Sequence, residues 1–273
     1  MTIFKTSIFV FFSLITLLSK AGFNLDITYE KTSQGYRIVA NNQEYCPVSA
    51  EVSFNLKNLK PSTGNQQVFV IPAKTERHVV TELIIVKPSK AIEFGYQFKS
   101  TLGDVTLNTY DDDFYYSLPF ATGSSYLISQ GYNGNFSHQH KNALDFDLPM
   151  GSAVHAIRDG IVIETVEKHT KHCTEASCRK FNNYVLVYHN DGTFAAYSHI
   201  NTNGVKPEVG DHIKQDELIA YSGNTGWTSG PHLHLEIYLP RFEDRKTIKT
   251  LFKINDGREA TYLKEQEVYS KNY

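Results

Sequence analysis

Val48, Ala50, Val52, Phe54 and Leu56 alternate along the chain with Ser49, Glu51, Ser53 and Asn55. This is the period-two pattern of a strand with one buried face. The run Val68-Phe69-Val70-Ile71 follows a Thr-Gly-Asn turn, and apolar alternation resumes over 78–86 and 94–98. Short strands at such close intervals predict a β-sandwich over 22–116. Beyond it, over 117–273, β-branched segments alternate with glycine turns, as in Asp159-Gly160-Ile161-Val162-Ile163 and Val209-Gly210-Asp211-His212-Ile213. No long stretch has a helical period, so the expected class is all-β, a sandwich followed by an antiparallel β-sheet domain. Asp111-Asp112-Asp113 reads as a solvated linker, because three consecutive acids lack the ligand spacing of a calcium loop.

The amino terminus departs from this pattern. One lysine, an apolar run over 6–18 and the small residues Ser19 and Ala21 have the layout of a secretory signal peptide over 1–21. The run is too short to span a bilayer comfortably. The expectation is an exported protein, periplasmic or extracellular, with no stable membrane anchor once the signal is cleaved. Lys and Arg number 27 against 29 Asp and Glu, a net charge of −2. With no basic stripe, that balance argues against a nucleic-acid partner. An oxidising compartment would let Cys173 and Cys178 close a small loop, a reading favoured over a metal or redox pair because the spacing is not Cys-x-x-Cys. Cys46 reads as a buried thiol.

The chemistry concentrates in Ser229-Gly230-Pro231-His232-Leu233-His234-Leu235-Glu236-Ile237-Tyr238. On a strand His232, His234 and Glu236 share one face, and Leu233, Leu235 and Ile237 the other, with the two imidazoles about 6–7 Å apart. Such spacing lets one imidazole bind a metal while the other reaches water or substrate. Alone, the pair would read as two exposed histidines. Tyr197-Ser198-His199-Ile200 adds another imidazole at a strand end, and Phe136-Ser137-His138-Gln139-His140-Lys141-Asn142-Ala143-Leu144-Asp145 places imidazoles shortly before a carboxylate. A His, an Asp and a second His leave a fourth position open, as catalytic zinc requires.

These segments resemble the lysostaphin/LytM-type zinc endopeptidases over roughly residues 138–238. Asn142-Ala143-Leu144-Asp145-Phe146 and Pro149-Met150-Gly151 look like the family's first ligand segment and the turn after it. Tyr197-Ser198-His199-Ile200 is similar to its Tyr-Ala-His-Leu segment, and Ser222-Gly223-Asn224-Thr225-Gly226 through His232-Leu233-His234 to its closing motif. The resemblance implies a LytM-type (duplicated hybrid motif) catalytic domain with Zn2+ as cofactor. It implies metal ligands at a first-segment histidine, Asp145 and His234, and catalytic imidazoles at His199 and His232. The implied substrates are peptide cross-links or stem peptides of bacterial peptidoglycan. One departure concerns the first ligand. The common spacing falls on Lys141, which cannot ligate, so His138 and His140 both stand as candidates. The Phe-Ser-His context, similar to members with a longer loop, favours His138.

A catalytically inactive LytM-type scaffold or activator of other wall hydrolases is the alternative. Retention of Asp145, His199, His232 and His234 weighs against it. A serine hydrolase is set aside because Ser198 and His199, as strand neighbours, should face opposite sides, and because no Gly-x-Ser-x-Gly elbow is present. Trp227 reads equally as groove or core and Tyr238 as structural. His169, His172, His189 and His212 lie in polar, loop-like contexts without an expected ligand.

Overall fold

A computed structural model describes residues 24–273, so the predicted signal peptide lies outside the described residues. The chain forms two compact units, one ending at Leu102 and the other spanning Gly103–Tyr273. Almost all the regular structure is β, with one short 3-10 turn, Ala176–Phe181, among the described residues. No helix among them is long and apolar enough to cross a membrane.

The first unit is a sandwich. One sheet orders Leu25–Lys31, Gly35–Asn42, Thr75–Ile85 and Leu59–Pro61, and the other Val68–Ile71, Val48–Lys57 and Glu93–Leu102. The alternation read in Val48–Lys57 is realised over its second half: Val48, Ala50 and Val52 are buried, Phe54 and Leu56 half-buried, and Ser53 and Asn55 exposed, while Ser49 is buried as well and Glu51 half-buried. Ala50 and Val52 meet Ile38, Ala40, Phe69, Ile71, Val80 and Leu83 in one apolar cluster, which supplies the hydrophobic drive for sheet-on-sheet packing. Cys46 is fully buried. Beside it the buried Asn42 amide donates to the carbonyls of Cys46, Ile71 and Pro72, satisfying backbone groups that water cannot reach.

The second unit is built on a long sheet. Its strands run His212–Ile213, Gly160–Val166, Tyr184–Tyr188, Phe194–Ser198, Leu233–Leu239, Ala143–Phe146, Ser124–Gln130 and Val268–Lys271. The central pairings are antiparallel. Leu144, Phe146, Leu233, Leu235 and Ile237 turn into one core with Val185, Val187 and Tyr197. The opposite face of those strands therefore carries their polar residues. Register completes the placement, because Asp145 lies directly opposite His234 on one side and Ser198 opposite His234 on the other. Residues distant in sequence meet because directly paired residues share a face.

Candidate functional site

Three donors converge on this face. One ligand atom each from His138, Asp145 and His234 lies within 4.8 Å of the others. Asp145 Oδ1 stands 2.8 Å from His234 Nδ1 and 3.2 Å from His138 Nε2. His138 is fully buried, whereas His140 is exposed with a left-handed backbone, φ +61°. Of the two first-segment histidines, His138 is thus the one in the cluster. The longer loop returns it there through defined contacts. Gln130 Nε2 donates to Ser137 Oγ at 2.9 Å, Asn133 N to Lys141 O at 2.8 Å, and Lys141 N to His138 O at 2.8 Å.

The far nitrogens fix the tautomers. His138 Nδ1 lies 2.9 Å from Gly131 O. A carbonyl only accepts, so Nδ1 carries the hydrogen and Nε2 presents a lone pair to the cluster. His234 is turned the other way: Nε2 lies 3.3 Å from Glu236 Oε1, and Arg245 Nε stands 3.0 Å from that carboxylate's other oxygen. Nδ1 of His234 thus faces Asp145. Outer partners of this kind orient metal-binding imidazoles. With two inward nitrogens and a carboxylate between them, the donor set suits a borderline cation such as zinc and leaves a coordination position open.

Electrostatics agree with the contacts. Burial alone would raise the Asp145 pKa, but in the metal-free state the contacts of His138 and His234 with the carboxylate outweigh it and hold the carboxyl well below the usual range. Glu236 is buried too, yet its bond with His234 and the nearby cations bring it down to about 2. In the metal-free state, burial opposes protonation of His234, and bonds to Asp145 and Glu236 overcome it, raising the group to about 9.

Two further imidazoles border the cluster. The His199 ring lies 4.6 Å from that of His232 and 5.9 Å from that of His234. His199 Nδ1 is 2.7 Å from Thr225 O and His232 Nδ1 is 2.9 Å from Gly230 O. Both Nδ1 atoms are therefore donors, and both Nε2 atoms are left as acceptors. His232 Nε2 stands 3.8 Å from Asp145 Oδ1. Burial, then the neighbouring His232 and His234, push His199 down to about 3, so its ring is neutral at ordinary pH.

His199 also corrects the expected facing of its segment. Its φ is +64°, an uncommon conformation for a residue with a side chain. The twist breaks strand alternation and turns the imidazole towards His232 and His234, the side on which Ser198 is paired with His234. The serine reading gains nothing from this, since Ser198 Oγ accepts from Asn182 Nδ2 at 3.1 Å. Asn182 Oδ1 in turn accepts from His199 N at 2.9 Å. Thr225 is locked by accepting from Asn183 N at 3.1 Å and donating to Ile200 O at 3.0 Å.

Among the other residues read from sequence, Cys173 and Cys178 are bonded. Tyr238 stacks on Phe194 with centroids 5.4 Å apart, a packing contact. His189 is fully buried rather than in a polar loop, with Nδ1 2.8 Å from Asp159 O. Trp227 is half-buried, and its Nε1 donates to Thr174 O at 2.7 Å. The roles of Glu236, Arg245, Asn182, Thr225 and Gly131 were missed in the sequence. Glu236 left a signal there, its place on the face of His232 and His234, and Thr225 lies in the segment similar to the closing motif.

Comparison with known proteins covers the same part of the chain. Residues 139–248 match the family model described as peptidase family M23, a stretch that begins one residue after His138. The resemblance to lysostaphin/LytM-type peptidases holds for this part of the chain. An uncharacterised metalloprotease of Buchnera aphidicola is 32% identical over 140 residues, 49% of this chain and 34% of that protein. The peptidoglycan DD-endopeptidase ShyA of Vibrio cholerae is 33% identical over 96 residues, 35% of this chain and 20% of that protein. The chain thus spans about a third or less of these relatives' length. A solved structure of lysostaphin from Staphylococcus simulans aligns at 28% identity with a TM-score of 0.35, covering 43% of this chain and 44% of that one.

Proposed function

We propose that the protein is an exported zinc metalloendopeptidase that hydrolyses peptide cross-links or stem peptides of bacterial peptidoglycan. One observation carries the reading. Three inward-facing donors, His138 Nε2, Asp145 and His234 Nδ1, converge beside two imidazoles whose Nδ1 atoms are tied to backbone carbonyls. His138, Asp145 and His234 would hold the metal, and zinc bound there supplies Lewis acidity. The substrate class follows from relatives named as peptidoglycan endopeptidases.

The chain's own residues carry the proton chemistry. His199, held neutral by burial, accepts a hydrogen bond from the attacking water at Nε2 and orients it. His232 Nε2 takes the proton that leaves this water as it adds to the scissile carbonyl. The imidazolium so formed donates at Nε2, first to the developing oxyanion and then to the departing amine. Gly230 O and Thr225 O keep the two rings from turning during these transfers. Metal analysis of the purified protein beside His234→Ala tests the site: about one zinc per chain, lost in the variant, is expected. Zinc-free wild type after zinc is supplied would contradict the reading.

A further inference from the structure

The cystine-closed loop before Tyr184 is fastened to the segment that holds the paired imidazoles. His172–Cys173 pairs in parallel with Gly226–Trp227. Gly226 N donates to Lys171 O at 2.9 Å, Thr228 N to Cys173 O at 3.1 Å, and Trp227 Nε1 to Thr174 O at 2.7 Å. From this loop Arg179 lays its guanidinium over the Trp227 ring, 4.3 Å from the centroid. Thr228, the next residue, brings Oγ1 to 3.3 Å from His232 Nδ1. On the other side Phe136, 73% exposed and two residues before His138, has its ring 6.4 Å from that of Trp227. The stacked pair therefore adjoins both the first-ligand loop and the His232 segment.

Arg179 is exposed, and no carboxylate among the described residues lies in ion-pairing range of it. Stacking occupies the face of a guanidinium and leaves its in-plane N–H donors free, the geometry suited to a carboxylate. Its surroundings reinforce that charge. Lys168, Lys171 and Lys180 share the segment 168–181 with a single acid, Glu175, in a chain of net charge −2.

We propose that Arg179, stacked on Trp227, binds a carboxylate of the substrate peptide, so that the preferred substrates are acidic peptides. The identity of the bound peptide as a substrate rests on the peptidase reading above. The carboxylate site itself does not require turnover.

Trp227 is the only tryptophan in the chain, so its fluorescence reports on the stacked pair directly. The full-length His232→Ala protein, supplied with zinc, is titrated with a synthetic stem peptide bearing free carboxylates and with the same peptide fully amidated. A saturable signal is expected for the acidic peptide. Amidation, or Arg179→Gln in the same background, should weaken its affinity about tenfold, the low end for a charge-assisted contact. Arg179→Lys should fall between, and added salt should reduce the difference. Equal affinities for the two peptides, an unchanged Arg179→Gln protein, or no saturable signal with either peptide would each overturn the proposal. A zinc-loaded wild type that binds the acidic peptide in this way but cuts no peptide would instead overturn the peptidase reading and leave the carboxylate site standing.

Discussion

Glu236 decides which nitrogen of His234 is available. Its Oε1 holds Nε2 at 3.3 Å while Nδ1 faces Asp145 at 2.8 Å. Replacing the charge with an amide weakens this hold without removing bulk. Glu236→Gln should therefore lower zinc affinity about 10- to 100-fold, measured by competition with a chromogenic chelator, while the circular dichroism spectrum is unchanged. Unaltered affinity would mean that the buried carboxylate serves only Arg245. At this scale the sequence was informative in part. His232, His234 and Glu236 were legible as one polar face because strand alternation is local. His138 was favoured over His140 by its Phe-Ser-His context alone, since the contacts of Gln130 and Asn133 that seat it run across a loop. His199 was legible as a residue type in a motif, but its left-handed backbone was not, because nothing in Ser198-His199-Ile200 requires a positive φ.

Segment 225–228 works as a brace. Gly226 has φ +85°, and a Cβ there would lie 2.9 Å from Asn182 Cα. Asn182 and Thr225 are the two residues that hold the backbone and ring of His199. Gly226→Ala should therefore cost about 1–3 kcal/mol of stability, read from chemical denaturation. It should also lower turnover at temperatures where the variant is fully folded. Lost stability with unchanged turnover would show that His199 is positioned without this brace. The strands themselves were readable from alternation, as Val48–Lys57 shows. Their pairing was not, because the register that sets Asp145 against His234 joins residues 89 apart. The cystine was expected from spacing and compartment. Its attachment to Gly226–Trp227 is a parallel pairing that no local pattern announces.

Across the whole of the second unit, the buried His189 sets an acid limit. Burial lowers its pKa from 6.5 to about 4, and Nε2 has no partner. The folded protein thus favours the neutral ring. Its contribution to stability is complete above pH 6.5 and is lost as pH falls towards 4, because the unfolded chain binds the proton first. The loss should approach about 3 kcal/mol across that window, and His189→Gln should flatten this part of the stability–pH curve. Equal slopes in the two proteins would contradict the assignment. For the central claim, the most direct measurement is release of new amino groups from purified peptidoglycan by the zinc-loaded protein, beside His232→Ala. The wild type should release them, and the variant, still holding zinc, should be slower by at least about 100-fold. No release by the zinc-loaded wild type, or equal release by the two proteins, would contradict the account.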